Sequence, residues 1–524
     1  MDDILQKVPP EVWAQIFSGA SLGALSACTQ ASHLLFDLAV PYLWREIDLF
    51  HLLMLLPGFL PNGLTKKKST LHACDLIWFG QIPISPSLNN KYFTRLNIYA
   101  THVRELLWPA EYGVFVSSAG GYSQPTIMLP TLTRSLLPNL TILRIRGNRS
   151  HLSRLFPLAL EWVKTLVLPI SNLSSLYVDL DLTYAADPIK DMARSFLDTI
   201  LANSKYVRHL KLNIIASNPI TRYFNSNNIP HYVTSLTIRG HMLDCCCLGW
   251  MAQMGQLTKL RVYVTDKRQP ASEIPRLEGI DLPLGSFLPL ASLEIDMSVG
   301  FLELFLQLWD TPVVSNITKL RILSQCRADT SILSRIATRS PNLRDLQLTV
   351  IAEEFRVNLL SPLASLPLRS LTLLGSGLLQ DTWPLQSIAQ LWPNIEQLSF
   401  RRTKMCLLEL PTSVVHLPQL KRLYLAPPLE FPLEVVESAR SYHLPGIEHI
   451  HVWRSRSLNL VVDYHWGDKV IQPKIETLAR ILVMACPNMT IELQDNHPTT
   501  VAFCRTLRAL MRAHVGPLLE MAAL

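Results

Sequence analysis

One short phrase recurs along this chain from Leu71 onward: an apolar residue, two variable residues, leucine, one variable residue, and a second apolar residue. The regular copies begin with Leu140-x-x-Leu143-x-Ile145, Leu173-x-x-Leu176-x-Val178, Val207-x-x-Leu210-x-Leu212 and Val233-x-x-Leu236-x-Ile238. The series continues through Leu257/Leu260/Val262, Leu290/Leu293/Ile295, Ile317/Leu320/Ile322 and Leu343/Leu346/Leu348. Leu368/Leu371/Leu373, Ile395/Leu398/Phe400, Leu420/Leu423/Leu425 and Ile447/Ile450/Val452 follow. Two less regular copies open it, Ala73-x-x-Leu76-x-Trp78 and Phe93-x-x-Leu96-x-Ile98, and a shortened one, Pro487 to Leu493, closes it. From Leu210 to Ile450 the central residues are 26, 24, 33, 27, 26, 25, 27, 25 and 27 residues apart. So steady a period makes each phrase one structural unit, repeated.

The central leucine and the apolar residue two later leave a strand on the same side, toward a core. Between phrases lie helix-like stretches, such as Thr330 to Ala337 and Leu385 to Leu391. Each ends near a Pro-Asn or Leu-Pro step, where proline turns the chain out of the helix. The phrase and its period, all but once within about 20–29 residues, resemble leucine-rich repeats. The resemblance implies a curved solenoid with parallel strands inside and helices outside. Asn148 stands where such repeats place a buried Asn, but most units lack one, so an irregular solenoid is expected.

The stretch before the repeats has a different period. From Val8 to Leu49 apolar residues fall at helical spacing: Val12, Ile16 and Phe17, then Leu22, Leu25 and Cys28, then Leu34, Leu35, Leu38 and Ala39. Pro9 and Pro10 suit the start of a first helix. Ser18, Gly19 and Ser21 break the pattern before a second, and Pro41 is expected to stop a third. So small a unit buries too little surface alone, which points to a partner on one face.

The stretch resembles an F-box, on Val8-Pro9-x-Glu11-Val12, Ile16-Phe17, Leu22, Leu25, Cys28, Phe36, Leu38-Ala39 and Pro41-x-Leu43-Trp44-Arg45-x-Ile47-x-Leu49. The resemblance implies docking on a Skp-type adaptor and, through it, a cullin. Pro9, Glu11, Val12, Ile16, Phe17, Leu22 and Leu25 match positions that build or line that surface in the family. Trp44-Arg45-x-Ile47-x-Leu49 has the spacing of the repeat phrase and is expected to lead directly into a first strand.

The expected fold class is therefore α/β: a short three-helix F-box over residues 4–49, then an irregular leucine-rich-repeat solenoid. Residues 50–70, with Lys66-Lys67-Lys68, read as a linker or first irregular repeat, 71–497 as the solenoid and 498–524 as a capping helix carrying Phe503, Leu507 and Leu510. Pro-, Ser-, Gly- and Asn-rich stretches near 110–130, 217–230, 266–289 and 454–473 read as loops.

At 48% hydrophobic and 17% charged residues, the 524-residue chain can bury a large core. The apolar run from Leu49 to Leu56 is too short to span a bilayer, and Met1-Asp2-Asp3 does not open a leader. No membrane association is expected, and a cytoplasmic or nuclear location is. Nine cysteines without metal-ligand spacing suggest a reducing compartment. Asn139-Leu-Thr141, Asn172-Leu-Ser174 and Asn316-Ile-Thr318 have the form of glycosylation triplets but fall at one place in the repeat.

No Walker loop, dinucleotide fingerprint, His-Glu-x-x-His or paired Cys-x-x-Cys motif is present. Cys245-Cys246-Cys247 reads as packing beneath a helix, and His449-x-His451 as a pair on an open strand face. No metal, cofactor or catalytic set is expected. The residues that strands turn away from the core carry Arg144, Arg146, Lys211, Arg239, Lys259, Arg261, Lys319 and Arg321 against Asp179, Glu294 and Asp296. That lopsided face suggests an acidic or phosphorylated protein segment as partner, through charge-assisted hydrogen bonds. A solvated basic face reads as well from the same residues. The function expected is the substrate-recognition subunit of an SCF-type ubiquitin ligase, not an enzyme itself. The alternatives are a scaffold whose F-box recruits nothing and, from the basic face, a nucleic-acid-binding solenoid.

Overall fold

A computed structural model of the chain describes residues 8–48, 51–52, 77–78, 98–109, 115–116, 137–147, 172–183, 185, 187–203, 206–216, 230–240, 245–264, 287–296, 315–327, 330–351, 357–374, 385–401, 417, 419–426, 459–462, 490–493 and 509. The chain divides into two compact units, Met1–Lys267 with Pro275–Pro289, and Arg268–Ile274 with Leu290–Leu524.

The first unit opens with α1 (Pro10–Ser18), α2 (Leu22–Ala31) and α3 (His33–Leu43). Proline at the first position of α1 gives up an N–H that a helix start leaves unpaired anyway. Gly19 follows α1, and Ser21 caps α2 by accepting the Ala24 N–H at 3.3 Å. Ser32, in extended conformation, ends α2 and caps α3 by accepting the Leu35 N–H at 3.2 Å. The stop expected at Pro41 comes two residues late, because in the last turn proline removes only its own N–H bond. The helix then closes with the Trp44 N–H on the Val40 carbonyl at 3.0 Å.

Nine strands follow among the described residues of this unit: β1 (Glu46–Asp48), β2 (Ile77–Trp78), β3 (Glu105–Pro109), β4 (Phe115–Val116), β5 (Ile142–Gly147), β6 (Ser175–Asp181), β7 (His209–Ile215), β8 (Ser235–Gly240) and β9 (Lys259–Val264). β1, β3 and β5 to β9 are stacked in that order, every pair parallel. Strand β1 is the continuation of the helical unit, as the Trp44–Leu49 spacing predicts. The central residues Leu106, Leu143, Leu176, Leu210, Leu236 and Leu260 lie side by side, and so do Trp108, Ile145, Val178, Leu212, Ile238 and Val262. None of the twelve is more than 3% exposed. Each such leucine, isoleucine or valine contributes about 1.5–3 kcal/mol by leaving water. Helix α4 (Asp187–Asn203) buries Ala193, Phe196, Leu197, Ile200 and Leu201, a helical stripe, and α5 (Cys245–Ala252) buries Cys247, Trp250 and Met251.

The second unit repeats the plan with β10 (Ser292–Asp296), β11 (Lys319–Arg327), β12 (Asp345–Ile351), β13 (Ser370–Leu374), β14 (Gln397–Arg401), β15 (Arg422–Ala426), β16 (Asn459–Val462) and β17 (Thr490–Leu493). All are parallel and consecutive. Helices α6 (Thr330–Arg339) and α7 (Leu385–Leu391) occupy the two stretches read as helical, and a 3-10 helix spans Val357–Ser365. The Trp392 indole N–H, buried beside α7, donates to the Leu363 carbonyl of that 3-10 helix at 3.1 Å. Each unit is thus a solenoid-like α/β stack with one strand per repeat. No described helix is long and apolar enough to cross a membrane.

A second ladder runs just ahead of the strands. The Arg45 carbonyl accepts the N–H groups of Arg104 and Glu105, the Arg104 carbonyl those of Thr141 and Ile142, and the Thr141 carbonyl those of Ser174 and Ser175. The pattern continues to Thr258 and Lys259, which share the Thr234 carbonyl, and recurs from Ala291 to Arg422 in the second unit. Hydroxyls add a third donor: Thr141 to Arg104 at 3.0 Å, Ser174 to Thr141 at 3.2 Å and Thr258 to Thr234 at 2.9 Å. Two residues earlier, side-chain amides reach back one repeat, Asn139 to the Thr101 carbonyl at 2.6 Å and Asn172 to that of Pro138 at 2.9 Å. Two of the glycosylation-like triplets are this pair of ladders: Asn on one, Ser or Thr on the other.

Three assignments of the phrase change. Ile98 belongs to a helical turn at residues 98–100 and is 50% exposed, so Phe93-x-x-Leu96-x-Ile98 does not end in a strand. The phrase that forms a strand lies ten residues later, at Val103-x-x-Leu106-x-Trp108. The Ala73–Trp78 copy contributes β2, which pairs with β4 in a separate two-stranded sheet. The strand beside β15 is Asn459–Val462, with Leu460 opposite Leu423, inside a stretch expected to be loop. Ile447/Ile450/Val452, His449 and His451 lie outside the described residues, as do Phe503, Leu507 and Leu510 of the expected cap.

Candidate functional site

Two surfaces collect the residues singled out from the sequence. The first is on the helical unit. Its core joins Phe17, Leu25 and Ala39, packed by Trp13, Ala20, Cys28, Leu35, Leu38, Tyr42 and Leu43. Trp13 stacks on Phe17 at 5.4 Å between ring centroids, and the tilted Tyr42 ring lies 5.9 Å from that of Phe17. Trp13 and Phe17, four apart on α1, form its inward stripe. The next stripe, Val12 and Ile16, points to water, 41% and 51% exposed, and Leu22 at the start of α2 is 66% exposed. Pro9 and Glu11 are exposed as well. Of the seven residues matched to the adaptor surface, five lie outside and two, Phe17 and Leu25, hold the helices together.

This unit is tied to the strands at three points. Strand β1 pairs with β3, the Arg45 carbonyl begins the backbone ladder, and Trp44 stacks on Tyr99 at 4.5 Å with Phe36 edge-on at 6.4 Å.

The second surface is the outward side of the strands. Register sets Arg144, Tyr177 and Lys211 beside one another on β5, β6 and β7. Arg144 is ion-paired with Glu105 of β3, and its guanidinium lies 4.5 Å from the centre of the Tyr177 ring. A neighbouring row runs Arg146, Asp179, Asn213, Arg239. Arg146, Lys211 and Arg239 are exposed, and among the described residues none has an ion-pair partner. Asn213 is 9% exposed; its amide N–H donates to Asp179 Oδ1 at 2.5 Å, while its own Oδ1 is buried without a hydrogen bond. Lys259 and Arg261 on β9 hold interactions of their own.

In the second unit the two cations of this set, Lys319 and Arg321, are matched. Lys319 meets Asp345 at 2.5 Å, and Arg321 lies 3.8 Å from Glu294. Beyond them the outward residues Gln347, Thr349, Ser370, Thr372, Gln397 and Ser399 are uncharged. Just ahead of β14, Glu396 accepts from Lys421 at 2.6 Å and lies 3.5 Å from Arg369. The Lys421 hydrogen bond, helped by both cations, holds its carboxyl below the usual glutamate range. Cross-strand pairing of this kind is invisible to a count of charges along the chain. The eight cations therefore fall into matched and unmatched groups, and only the first unit holds the unmatched ones described here.

Among the described residues no group of three or more His, Cys, Asp or Glu side chains could hold a metal ion. Cys247 is fully buried in α5.

No protein-family model matches this chain, and no curated protein matches it. Among solved structures it is similar to a crystal structure of a Bacteroides fragilis protein from the Northeast Structural Genomics Consortium. The two are 15% identical, with a TM-score of 0.29, over 60% of this chain and 85% of that chain.

Proposed function

We propose that this chain is the substrate receptor of an SCF-type ubiquitin ligase: an F-box, α1 to α3, that docks on a Skp-type adaptor, and leucine-rich repeats whose outward strand face holds a protein substrate. The observation that carries the reading is the exposure of Val12, Ile16 and Leu22 on a unit whose own core is already closed by Phe17, Leu25 and Ala39. Large apolar side chains left in water on so small a helical unit, Val12 and Ile16 one turn apart on α1 and Leu22 at the start of α2, suit a protein-binding face. Their F-box-like spacing gives the partner. Covering the three completely would contribute about 1.5–3 kcal/mol each, less what they already bury.

The receptor does no chemistry in this reading; it brings a substrate to a cullin-bound enzyme. Adaptor capture tests it. Wild type is expected to retain a Skp-type adaptor and co-purify a cullin, and Val12→Glu with Ile16→Glu to lose both while its circular dichroism and denaturation midpoint stay unchanged. Equal capture by wild type and the folded variant removes the docking face. Adaptor without cullin turns the reading to a scaffold.

A further inference from the structure

We infer that the row Arg146–Asp179–Asn213–Arg239 binds an extended acidic protein segment in which two Asp or Glu residues four apart flank a hydrogen-bond donor. The inference deepens the reading of this strand face as the substrate surface and rests on it.

Two observations point to a ligand. Arg146 and Arg239 are exposed and unpaired among the described residues, whereas Arg144 nearby, and Lys319 and Arg321 in the second unit, are neutralised across strands. Between Arg146 and Arg239 stands the exposed carboxylate of Asp179, fixed by the amide N–H of the buried Asn213 at 2.5 Å. An exposed carboxylate between two cations accepts hydrogen bonds, so a segment seated along the row must present a donor to it.

The register fixes the spacing. Arg146, Asp179, Asn213 and Arg239 are opposite one another on four successive strands. Neighbouring strands lie about 4.8 Å apart, so the two arginines stand about 14 Å apart along the row. A peptide laid along the row in extended form advances about 3.4 Å per residue, and residues i and i+4 then span about 14 Å. They also face the same side, as does residue i+2, which falls between Asp179 and Asn213. Ends over Arg146 and Arg239 call for carboxylates, with Lys211 adding attraction near the second. The middle position faces the Asp179 carboxylate, an acceptor, and calls for Lys, Gln or Asn.

The same layout selects against other anions. A phosphate site gathers donors onto one group, often a bidentate arginine. Here the cations are single, spread over separate strands, and a carboxylate lies between them. A continuous polyphosphate backbone laid along the row would meet Asp179.

The test uses the full chain and a fluorescein-labelled peptide with the core Glu-Ala-Lys-Ala-Glu, read by anisotropy. This peptide is expected to bind, and the rearranged core Glu-Glu-Lys-Ala-Ala at least about tenfold more weakly, as a loss of charge complementarity dictates. Arg146→Glu with Arg239→Glu reverses the preference: the variant releases the first peptide and takes Lys-Ala-Lys-Ala-Lys, a gain that a merely misfolded chain cannot show. Equal binding of the first two peptides overturns the inference. So does tighter binding of a phosphoserine peptide or of single-stranded oligouridylate. Adaptor capture measured on the same variant separates the two readings, since Arg146 and Arg239 lie on strands and the docking face on helices.

Discussion

The helical unit and the strand ladder treat apolar side chains in opposite ways. In the first unit's strands, all twelve residues of the two apolar rows from Leu106 to Leu260 and from Trp108 to Val262 are sealed to within 3% of full burial. In the helices, adjacent residues of one turn part company: Phe17 is 3% exposed and Ile16 51%. A repeat closes its own core because every strand meets a copy of itself, so the apolar face always finds an apolar neighbour. Three unrepeated helices have no such neighbour, and their second apolar stripe is left to the solvent or to a partner.

The sharpest way to break the comparison is to truncate both kinds of residue. Phe17→Ala removes the ring against which Trp13 and Tyr42 pack and is expected to cost about 3–5 kcal/mol of helical-unit stability, with Leu212→Ala in the ladder costing about 2–5. Ile16→Ala, one residue away, is expected to stay within about 0.5 kcal/mol. Urea denaturation of the three variants reads the contrast, and a large loss for Ile16→Ala would place that side chain in a core.

A smaller effect sharpens the view of the ladder. Thr258→Val removes the hydroxyl donor to the Thr234 carbonyl while keeping shape, and the carbonyl keeps its two backbone donors. The expected loss is about 0.5–1 kcal/mol, at the low end for a hydrogen bond. Denaturation of the full chain measures it, and no loss would make the hydroxyl ladder incidental.

The smallest effect is electrostatic. Glu396 is held below its unfolded pKa, chiefly by the Lys421 hydrogen bond, so the unfolded chain binds the proton first. Its contribution is therefore present above the unfolded glutamate pKa and is lost as pH falls through the folded one. Because the carboxylate is partly exposed, salt screens the effect. Glu396→Gln is expected to flatten the acid limb of the stability–pH profile slightly and to leave neutral stability almost unchanged. An acid limb as steep as that of wild type would show that the pair contributes nothing.

Much of this architecture is legible in the chain itself. The phrase from Leu140 to Leu425 finds its strands, and Thr330 and Leu385 open the helices expected of them. Where two candidate phrases lie close together, pattern alone does not decide. Phe93-x-x-Leu96-x-Ile98 and Val103-x-x-Leu106-x-Trp108 satisfy the same rule, yet the second pairs with β1 and β5. Leu460 stands in the ladder behind Ser457, a polar residue where the phrase asks for an apolar one, so its strand hides inside an apparent loop. The Ser and Thr of the hydroxyl ladder were in plain view at one variable position, Thr141, Ser174, Thr234, Thr258 and Thr318, two before each central leucine. Their regularity is a signal that the apolar phrase overshadows.

The sequence alone determined the period, and with it the parity of every strand: which residues turn inward, which outward, and that strands must be parallel and consecutive. Those follow from side-chain alternation and from the length of chain between phrases, both local properties. Likewise the helical spacing of apolar residues from Val8 to Leu49 marks three helices with more apolar surface than one core needs. Only the tertiary structure decided which of those residues remain outside, Val12, Ile16 and Leu22, and which charges remain unmatched. Arg144 finds Glu105 across 39 residues and Arg321 finds Glu294 across one repeat, while Arg146 and Arg239 form no ion pair among the described residues. Burial and charge compensation depend on what strand register brings opposite each residue, and register is a relation between segments that no single segment contains.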